Sequence, residues 1–248
     1  MTDQAELVAR LEHGWGGRFT VVRPLIGGTM SAVTLVERDS QFLVAKEVAL
    51  TNASAQWQGE LLAALARHGM SVPRQLPTKS GGYIHDDIVL STYIDGRLPG
   101  PEAGRFPIRD YSSQLHRLTG DWPQRPHTPT AVGFVTGAER LPPDVPDHVA
   151  SDFIRAWTGV ADTPLAVIHG DPNRTNSLVN MNALTLVDWE ESRRDYLCLD
   201  VAVLPEGRHE DRAAYTASVA WGAFICRHVR RDYSLRRFNE LRALLSEA

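Results

Sequence analysis

The sequence predicts an α+β chain with five short strands and one important helix up to residue 93, followed mainly by helices from residue 98 onward. Short apolar runs separated by Gly, Asp and Ser turns indicate the strands. Apolar residues at helical spacing indicate the later helices. Within that second part, Asp171, Asn176 and Asp188 follow one another between two apolar runs, which suggests a functional site.

Composition limits the classes of function open to the chain. Its 248 residues are 43% hydrophobic and 23% charged, which is ordinary for a folded protein with a sizeable core. A net charge of −4 lacks the basic surplus of nucleic-acid binders, so no nucleic-acid partner is expected. No apolar stretch is long enough for a membrane span, and no signal peptide is recognised. We expect a cytoplasmic protein with no membrane partner and reduced cysteines, and the choice between monomer and dimer stays open.

The first elements surround a glycine turn. A helix is predicted from Asp3 to Gly14, then strands over 18–23 and 33–36. Gly27 and Gly28 join the two strands, and exposed N–H groups there, with the Ser31 hydroxyl, could bind phosphates. A plain hairpin turn is the more common explanation of such a Gly-Gly pair taken alone.

A third strand over 41–48 carries Lys46 in otherwise apolar surroundings. A surface lysine is the common alternative to a functional one. A helix over 54–69 follows, and Glu60 at the edge of its apolar stripe is the best candidate to pair with Lys46. Two further strands are predicted over 82–85 and 88–93, on either side of a turn at Asp86 and Asp87.

The part of the chain from residue 98 onward is predicted to consist of helices and one long loop. Helices are predicted over 108–118, 147–157, 210–229 and 234–246. His116 near the end of the first could act as a base, but a packed or capping role is favoured. The proline-rich segment 121–147 is predicted to be a loop or a substrate-side insertion.

The spacing of the polar residues in the central motif has a chemical logic. In phosphoryl transfer a carboxylate orients the acceptor hydroxyl, while an amide oxygen and a second carboxylate hold Mg²⁺ on the nucleotide phosphates. Asp171, Asn176 and Asp188 have the order and spacing that protein kinases use for these groups. A turn and a strand end without chemistry would explain a lone His-Gly-Asp, but not all the matched positions.

The residues of the motif resemble a particular family. His169-Gly170-Asp171, the Val-Asp-Trp-Glu of 187–190 and the Asp-Val-Ala of 200–202 are similar to the aminoglycoside phosphotransferase family and its choline, thiamine and homoserine kinase relatives. The resemblance implies a bilobal protein-kinase-like fold, with a five-stranded N-lobe at 1–93, a hinge at 94–97 and a C-lobe at 98–248. Backbone groups of Thr92 and Ile94 would then bind adenine.

The same resemblance implies roles for the site residues. Asp171 would accept or orient the proton of the substrate hydroxyl, and Asn176 and Asp188 would hold Mg²⁺. Lys46, positioned by Glu60, would neutralise the phosphates of ATP or GTP beneath the glycine turn. His169 is expected to pack beneath the loop. The acids at 195 and 200 are expected to be buried and to hold backbone N–H groups of the catalytic loop.

Two positions depart from the family pattern. Asn173 stands where the family often has His, and Arg174 stands where it usually has Pro. Arg174 could bind the transferring phosphoryl group, face solvent or bind an acidic substrate. Glu190 could reach a second metal or a substrate amine, and a structural role is about as well supported.

The leading interpretation is a kinase that transfers the γ-phosphate of ATP or GTP to a hydroxyl of a small molecule. An aminoglycoside or other antibiotic and a metabolic amino alcohol, sugar or vitamin all stay open as acceptors. A surplus of acids after the metal motif would suit a cationic acceptor: Glu190, Glu191, Glu206, Glu210 and Asp211. A non-catalytic kinase fold is disfavoured because the polar residues of the motif are all present. A protein kinase is disfavoured because Ala-Pro-Glu is missing.

Overall fold

The chain forms two compact units. The computed structural model describes residues 4–25, 32–100, 106–181, 183–202 and 211–247. The first unit comprises 1–102, 125–127 and 174–188, and the second comprises 103–124, 128–173 and 189–248. The predicted phosphate-loop residues Gly27, Gly28 and Ser31 lie outside the described residues, as do Glu206 and Glu210. The predicted lobe limits at 93 and 97 stay predictions.

The first unit is built on a four-stranded antiparallel sheet with the strand order β1-β2-β3-β4. Two helices accompany it, and a separate hairpin is formed by β6 and β7. The elements of this unit are α1 (Gln4–Trp15), β1 (Thr20–Pro24), β2 (Val33–Arg38), β3 (Gln41–Glu47), α2 (Asn52–Arg67), β4 (Ile88–Thr92), β6 (Ser177–Asn180) and β7 (Ala183–Leu186).

One face of the sheet is covered by α1. Alternate residues of β3 and β4, among them Leu43, Ala45 and Leu90, pack with Leu7 and Leu11 of the helix in one buried cluster. Because side chains alternate along a strand, residue 46 of β3 points to the opposite face. The position of a charged side chain is thus determined by which face the apolar residues bury.

The α+β class predicted from the sequence is confirmed, but the sheet has four strands rather than five. The edge of β4 is used by the segment at 74–76, where Leu76 N donates to Leu90 O at 2.8 Å and Thr92 N donates to Arg74 O at 2.9 Å. The predicted strand at 82–85 instead places the Tyr83 ring on Gly59 of α2. A single tight turn connects its last residue to β4.

The second unit is mainly helical, as predicted. Strands β5 and β8 pair in antiparallel fashion, with Ile168 opposite Arg193. Stacked and edge-to-face aromatic rings fill its core, with Trp157 and Phe224 at the centre. Its elements are α3 (Phe106–Leu118), α4 (Ala131–Thr136), α5 (Asp147–Thr158), β5 (Leu165–Ile168), β8 (Arg193–Tyr196), α6 (Cys198–Ala202), α7 (Arg212–Ile225) and α8 (Arg231–Ser246).

The proline-rich segment contains a helix that the periodicity did not reveal. Thr130 Oγ1 accepts from Gly133 N at the start of α4, and Gly137 ends the helix in the left-handed conformation at φ 76°. Six residues are too short for a recognisable apolar stripe, but a Thr N-cap and a Gly C-cap are local signals that could have indicated it. None of the helices formed by the described residues has the length and apolarity that a membrane span requires.

Candidate functional site

The loop after β5 presents Asp171. Gly170 has φ 91°, and a Cβ at this position would lie 2.5 Å from the Glu191 carbonyl oxygen. Both the backbone conformation and the close approach of another segment therefore require glycine. This explains in physical terms why Gly, rather than a larger residue, stands between His169 and the carboxylate.

A buried carboxylate holds the same loop from below. Asp200 accepts hydrogen bonds from the backbone N–H groups of His169 and Gly170, each at 2.8 Å. The two N–H groups contact different oxygens of the carboxylate, and His116 Nε2 lies 3.2 Å from Oδ2, the oxygen that accepts from His169 N. Burial by itself would raise the pKa of Asp200, but the hydrogen bond and charge of His116, with the other donors, outweigh it and lower the pKa. The prediction that this acid holds the loop is confirmed.

The side chains flanking Asp171 divide into buried and exposed ones. His169 is fully buried, and its ring meets that of Trp189 edge to face with centroids 4.7 Å apart. Asp171 is exposed, and one of its oxygens accepts a hydrogen bond from Asn173 Nδ2 at 2.7 Å. The Asp171 carboxylate is thus open to solvent, while the buried His169 ring holds the loop by packing. His169 has the packed position expected from the sequence.

In the first unit, the β6–β7 hairpin places Asn176 and Asp188 at its open end. Asn176 directly precedes β6 and Asp188 lies two residues beyond β7, whose strands pair Ser177 with Leu186. Val187 N donates to Asn176 O at 2.9 Å, which extends the pairing toward Asp188. The structure therefore brings together the two predicted metal-binding positions on neighbouring backbone.

Lys46 reaches this hairpin end. Its Nζ lies 2.7 Å from Asp188 Oδ1, and Asp188 has φ 66°. A non-glycine residue in that region costs on the order of 1 kcal/mol, and such strain is concentrated at functional sites. Lys46 and Asp188 keep 15% and 38% of their side-chain exposure. Part of the Asp188 side chain thus remains accessible to a ligand, while most of Lys46 is covered.

The expected ion pair between Lys46 and Glu60 is not present among the described residues. Glu60 is exposed on α2 and accepts a hydrogen bond from Gln56 Nε2 at 2.7 Å, one helical turn away. The reason is the packing of α2, whose buried side includes Trp57, Leu61 and Leu65, so that residue 60 faces solvent. Asp188 is the carboxylate beside Lys46, in the place predicted for Glu60.

The remaining predicted residues occupy three different settings. Thr92 lies at the end of β4. Its backbone N–H donates to Arg74 O, its hydroxyl accepts from Arg74 N, and Ile94 lies just beyond the strand. Arg174 is exposed and donates to Pro99 O at 3.3 Å within the first unit. Glu190 is half-buried in a short 3-10 helix of the second unit, Trp189–Glu191. Their proposed contacts with nucleotide, phosphate or substrate stay predictions.

Asp195 has a different role from the one predicted. Its carboxylate accepts from Ala131 N and Val132 N at 3.0 and 3.1 Å, so it binds the N-terminus of α4 rather than the catalytic loop. Arg193 Nε donates to it at 2.9 Å, and the same guanidinium lies 3.6 Å from the centroid of the Trp221 ring. Arg193 was not predicted from the sequence, although its alternation with Asp195 along β8 was an available signal.

The donors at the hairpin end suit a magnesium ion. Mg²⁺ prefers oxygen ligands, is usually held by one or two protein groups, and keeps waters or phosphate oxygens in its other positions. The amide oxygen of Asn176 and the carboxylate of Asp188 are such ligands. Asp188 is exposed enough to bind an ion that also contacts a nucleotide.

The fold and these side chains define a protein of the protein-kinase-like α+β class. The profile of one family, described as the phosphotransferase enzyme family (APH), matches residues 21–234. The chain belongs to this family. None of the curated protein sequences matches the chain.

Several solved structures share the fold. A thermostable mutant of aminoglycoside phosphotransferase APH(4)-Ia, in ternary complex with AMP-PNP and hygromycin B, is similar with a TM-score of 0.71 and 12% identity, over 99% of this chain and 98% of that one. A choline kinase from Streptococcus pneumoniae gives 0.63 at 12% identity over 92% and 95%. A choline/ethanolamine kinase family protein from Mesorhizobium loti gives 0.57 at 19% over 97% and 94%.

Proposed function

We propose that this phosphotransferase moves the γ-phosphate of ATP or GTP to a hydroxyl group of a small molecule and depends on Mg²⁺. One observation carries the proposal most directly: Lys46 and Asp188, which are 142 positions apart in the chain, lie 2.7 Å from each other. A lysine beside a potential metal-binding carboxylate is what a Mg²⁺–nucleotide site needs, because both the phosphates and the ion must be neutralised. Membership of the phosphotransferase family supports the same chemistry.

Each side chain has a defined task in this proposal. Lys46 leaves Asp188 and binds phosphate oxygens, so that the carboxylate becomes free for the ion. Asn176 and Asp188 hold the ion, which when bound neutralises charge on the phosphates. Asp171 orients the acceptor hydroxyl and takes its proton, and its exposure allows an acceptor to approach. Asn173 keeps the carboxylate oriented through its hydrogen bond.

We propose a cationic amino alcohol or amino sugar as the acceptor. The relatives named above include enzymes of aminoglycosides and choline, and another neighbour is an aminopropanol kinase with a TM-score of 0.62. All these molecules combine a hydroxyl with a positively charged nitrogen. In the second unit, Glu190 and Glu191 are acids that follow directly after Trp189 and could attract such a charge.

An antibiotic acceptor, which would make the protein a resistance enzyme, is the first candidate because APH(4)-Ia, with a TM-score of 0.71, is more similar in structure than the choline kinase, with 0.63. A metabolic kinase of a small amino alcohol is the second, and the similarity to choline kinase favours it. A nucleotide-binding protein without transfer activity is the third. The presence of Asp171, Asn176 and Asp188 argues against it.

The test is ADP or GDP release with Mg²⁺ over a panel of aminoglycosides, amino sugars, peptide antibiotics, choline and thiamine. Acceptor-dependent release should fall by at least about 100-fold in Asp171→Asn, since general-base groups contribute that much or more. Asp162→Asn, an exposed acid of the same unit, is the matched control and should keep full activity.

Three other results would each change the assignment. Nucleotide binding without release for any acceptor would favour the non-catalytic alternative. Phosphate transfer to peptides would contradict a small-molecule acceptor. Absence of nucleotide binding under saturating Mg²⁺ would refute the kinase proposal altogether.

A further inference from the structure

Three side chains that could ligate a metal ion lie together in the first unit, and none of them belongs to the candidate site described above. His13 lies in the last turn of α1, and His85 and Asp86 lie in the turn before β4. Their potential ligand atoms are all within 4.8 Å of one another, and no other group of three or more such residues occurs among the described parts of the chain. None of the three belongs to the phosphoryl-transfer chemistry proposed above.

The distances are those of a coordination sphere. His13 Nδ1 lies 3.0 Å from His85 Nε2, and His85 Nε2 lies 3.4 Å from Asp86 Oδ2. In a tetrahedral zinc site with bonds near 2.0–2.1 Å, neighbouring ligand atoms are about 3.3 Å apart. Two imidazole nitrogens this close must share either a proton or a cation. A metal can replace that proton with little movement of the rings.

The turn that carries two of the ligands has a defined backbone. Asp86 and Asp87 both have positive φ, 47° and 59°. His85 N donates to Ile88 O at 3.0 Å, and Ile88 N donates to His85 O at 2.9 Å, which closes a two-residue hairpin. The Asp86 carboxylate lies beside the His85 ring, with Oδ2 3.4 Å from Nε2. The turn therefore holds the backbone of both residues in one place, and their side chains already meet.

The end of α1 packs against the ring of His85. A Cβ at Gly14 would come within 2.7 Å of the His85 ring, so the glycine leaves the space that the imidazole occupies. The Trp15 ring meets His85 at 88°, and Trp15 Nε1 donates to Leu76 O at 2.9 Å. The His85 ring is thus held by packing, and the exposed His13 ring meets it with centroids 4.9 Å apart.

A basic residue beside the site is already paired with an acid. Arg10 forms an ion pair with Glu47 at 3.2 Å while also donating to the Asp86 carbonyl. Its charge is therefore balanced by a carboxylate outside the ligand set, and the Asp86 side chain keeps its own negative charge for a metal. The Asp86 side chain is 56% exposed, which leaves room for water at a fourth position.

We propose that His13, His85 and Asp86 bind one divalent transition-metal ion of the zinc type, with water completing the coordination. Two imidazoles and one carboxylate suit Zn²⁺ or Co²⁺ and do not suit Mg²⁺, which prefers oxygen ligands. Because His13 and His85 are 72 positions apart, an ion between them ties α1 to the sheet. The ion would stabilise the folded first unit rather than take part in transfer.

Calorimetric titration with ZnCl₂ tests the site in the full-length protein, after chelator treatment and with saturating Mg²⁺ present. One ion should bind per chain, and His13→Gln and His85→Gln should each weaken the affinity by at least about tenfold. His68→Gln, an exposed histidine at the end of α2, is the matched control. His228→Gln tests a competing contact, because that ring lies 3.0 Å from Asp144 Oδ2.

Two further measurements separate loss of a ligand from loss of folding. Co²⁺ should produce intense visible absorption bands in the wild-type protein that are absent in His85→Gln. Zn²⁺ at 100 times its dissociation constant should raise Tm by roughly 5–10 °C in the wild type and by less in His13→Gln and His85→Gln, each compared with its own metal-free Tm.

The proposal is overturned if Zn²⁺ binding is absent, or if binding survives unchanged in both His13→Gln and His85→Gln. It is equally overturned if only His228→Gln removes it. These outcomes are independent of nucleotide turnover, so they do not depend on the proposed kinase activity.

Discussion

Replacing Asp200 with asparagine changes the hydrogen bonds of the catalytic loop while keeping the size of the side chain. The wild-type carboxylate accepts from His169 N and Gly170 N at 2.8 Å each, with His116 Nε2 at 3.2 Å. Asparagine has one acceptor oxygen and an NH₂ group, so at least one buried N–H donor must face another donor. The loop that presents Asp171 then loses part of its support.

The expected decrease in the free energy of unfolding follows from these hydrogen bonds. A buried donor left without an acceptor costs about 1–3 kcal/mol, and loss of charge weakens the remaining hydrogen bonds by about 1 kcal/mol. Asp200→Asn should therefore reduce the free energy of unfolding by about 2–4 kcal/mol, a large part of the roughly 5–15 kcal/mol typical of a folded domain. Turnover should fall as well, because the position of Asp171 shifts.

Urea unfolding followed by tryptophan fluorescence measures the change in stability. Hydrogen exchange of the segment 165–173 localises it to the catalytic loop. Asp144→Asn is the control, because this exposed aspartate pairs with Arg227 and His228 outside the catalytic loop, and its loss should leave the unfolding midpoint nearly unchanged.

The pH dependence gives a second, independent readout. The pKa of Asp200 is lowered in the folded state, so its stabilising contribution is present above the ordinary carboxyl pKa near 4 and is lost as pH falls through the folded value. The stability difference between wild type and Asp200→Asn should thus narrow on acidification below about pH 4. A variant within about 1 kcal/mol of wild type at pH 7, with unchanged exchange, would refute this account of the loop.

Two other predictions concern backbone strain and thiol chemistry. Gly170→Ala should destabilise the protein by about 2–4 kcal/mol and reduce turnover, because the new methyl group meets the Glu191 carbonyl and alanine disfavours φ 91°. Urea unfolding measures the loss of stability, and steady-state kinetics measure the loss of turnover. Burial raises the pKa of Cys198 to about 11. In the folded protein at pH 8, alkylation of this thiol should therefore be at least about 100-fold slower than that of a free thiol. Mass spectrometry of iodoacetamide-treated protein, folded and unfolded, measures the difference. Rapid labelling of folded protein at Cys198 would contradict this burial.

Local signals were sufficient for much of the fold. The helix over 147–157 was predicted within a residue of its observed end, because apolar spacing and a polar start act over a few positions. The same kind of pattern predicted a strand at 82–85, and this prediction was wrong. Which segment occupies the edge of β4 depends on how 74–76 and Tyr83 pack, and alternation of residue types does not contain that information.

The residues of the candidate site likewise divide into those that the sequence predicts and those that it does not. Asp171, Asn176 and Asp188 could be selected from the sequence because the motif spans only 18 positions and each residue type has a limited set of uses. The partner of Lys46 could not be selected, since Glu60 and Asp188 are both carboxylates. Burial of the apolar side of α2 turned Glu60 to solvent, and the β6–β7 hairpin brought Asp188 to the lysine.

The sequence by itself therefore determined the class of fold, the family and the inventory of reactive groups, because these follow from short-range periodicity and from spacing along one segment. Tertiary structure alone decided which groups meet. Lys46 contacts Asp188 across 142 positions, and His13 contacts His85 across 72. Such contacts result from the burial of apolar faces, which is a cooperative property of the whole packed chain.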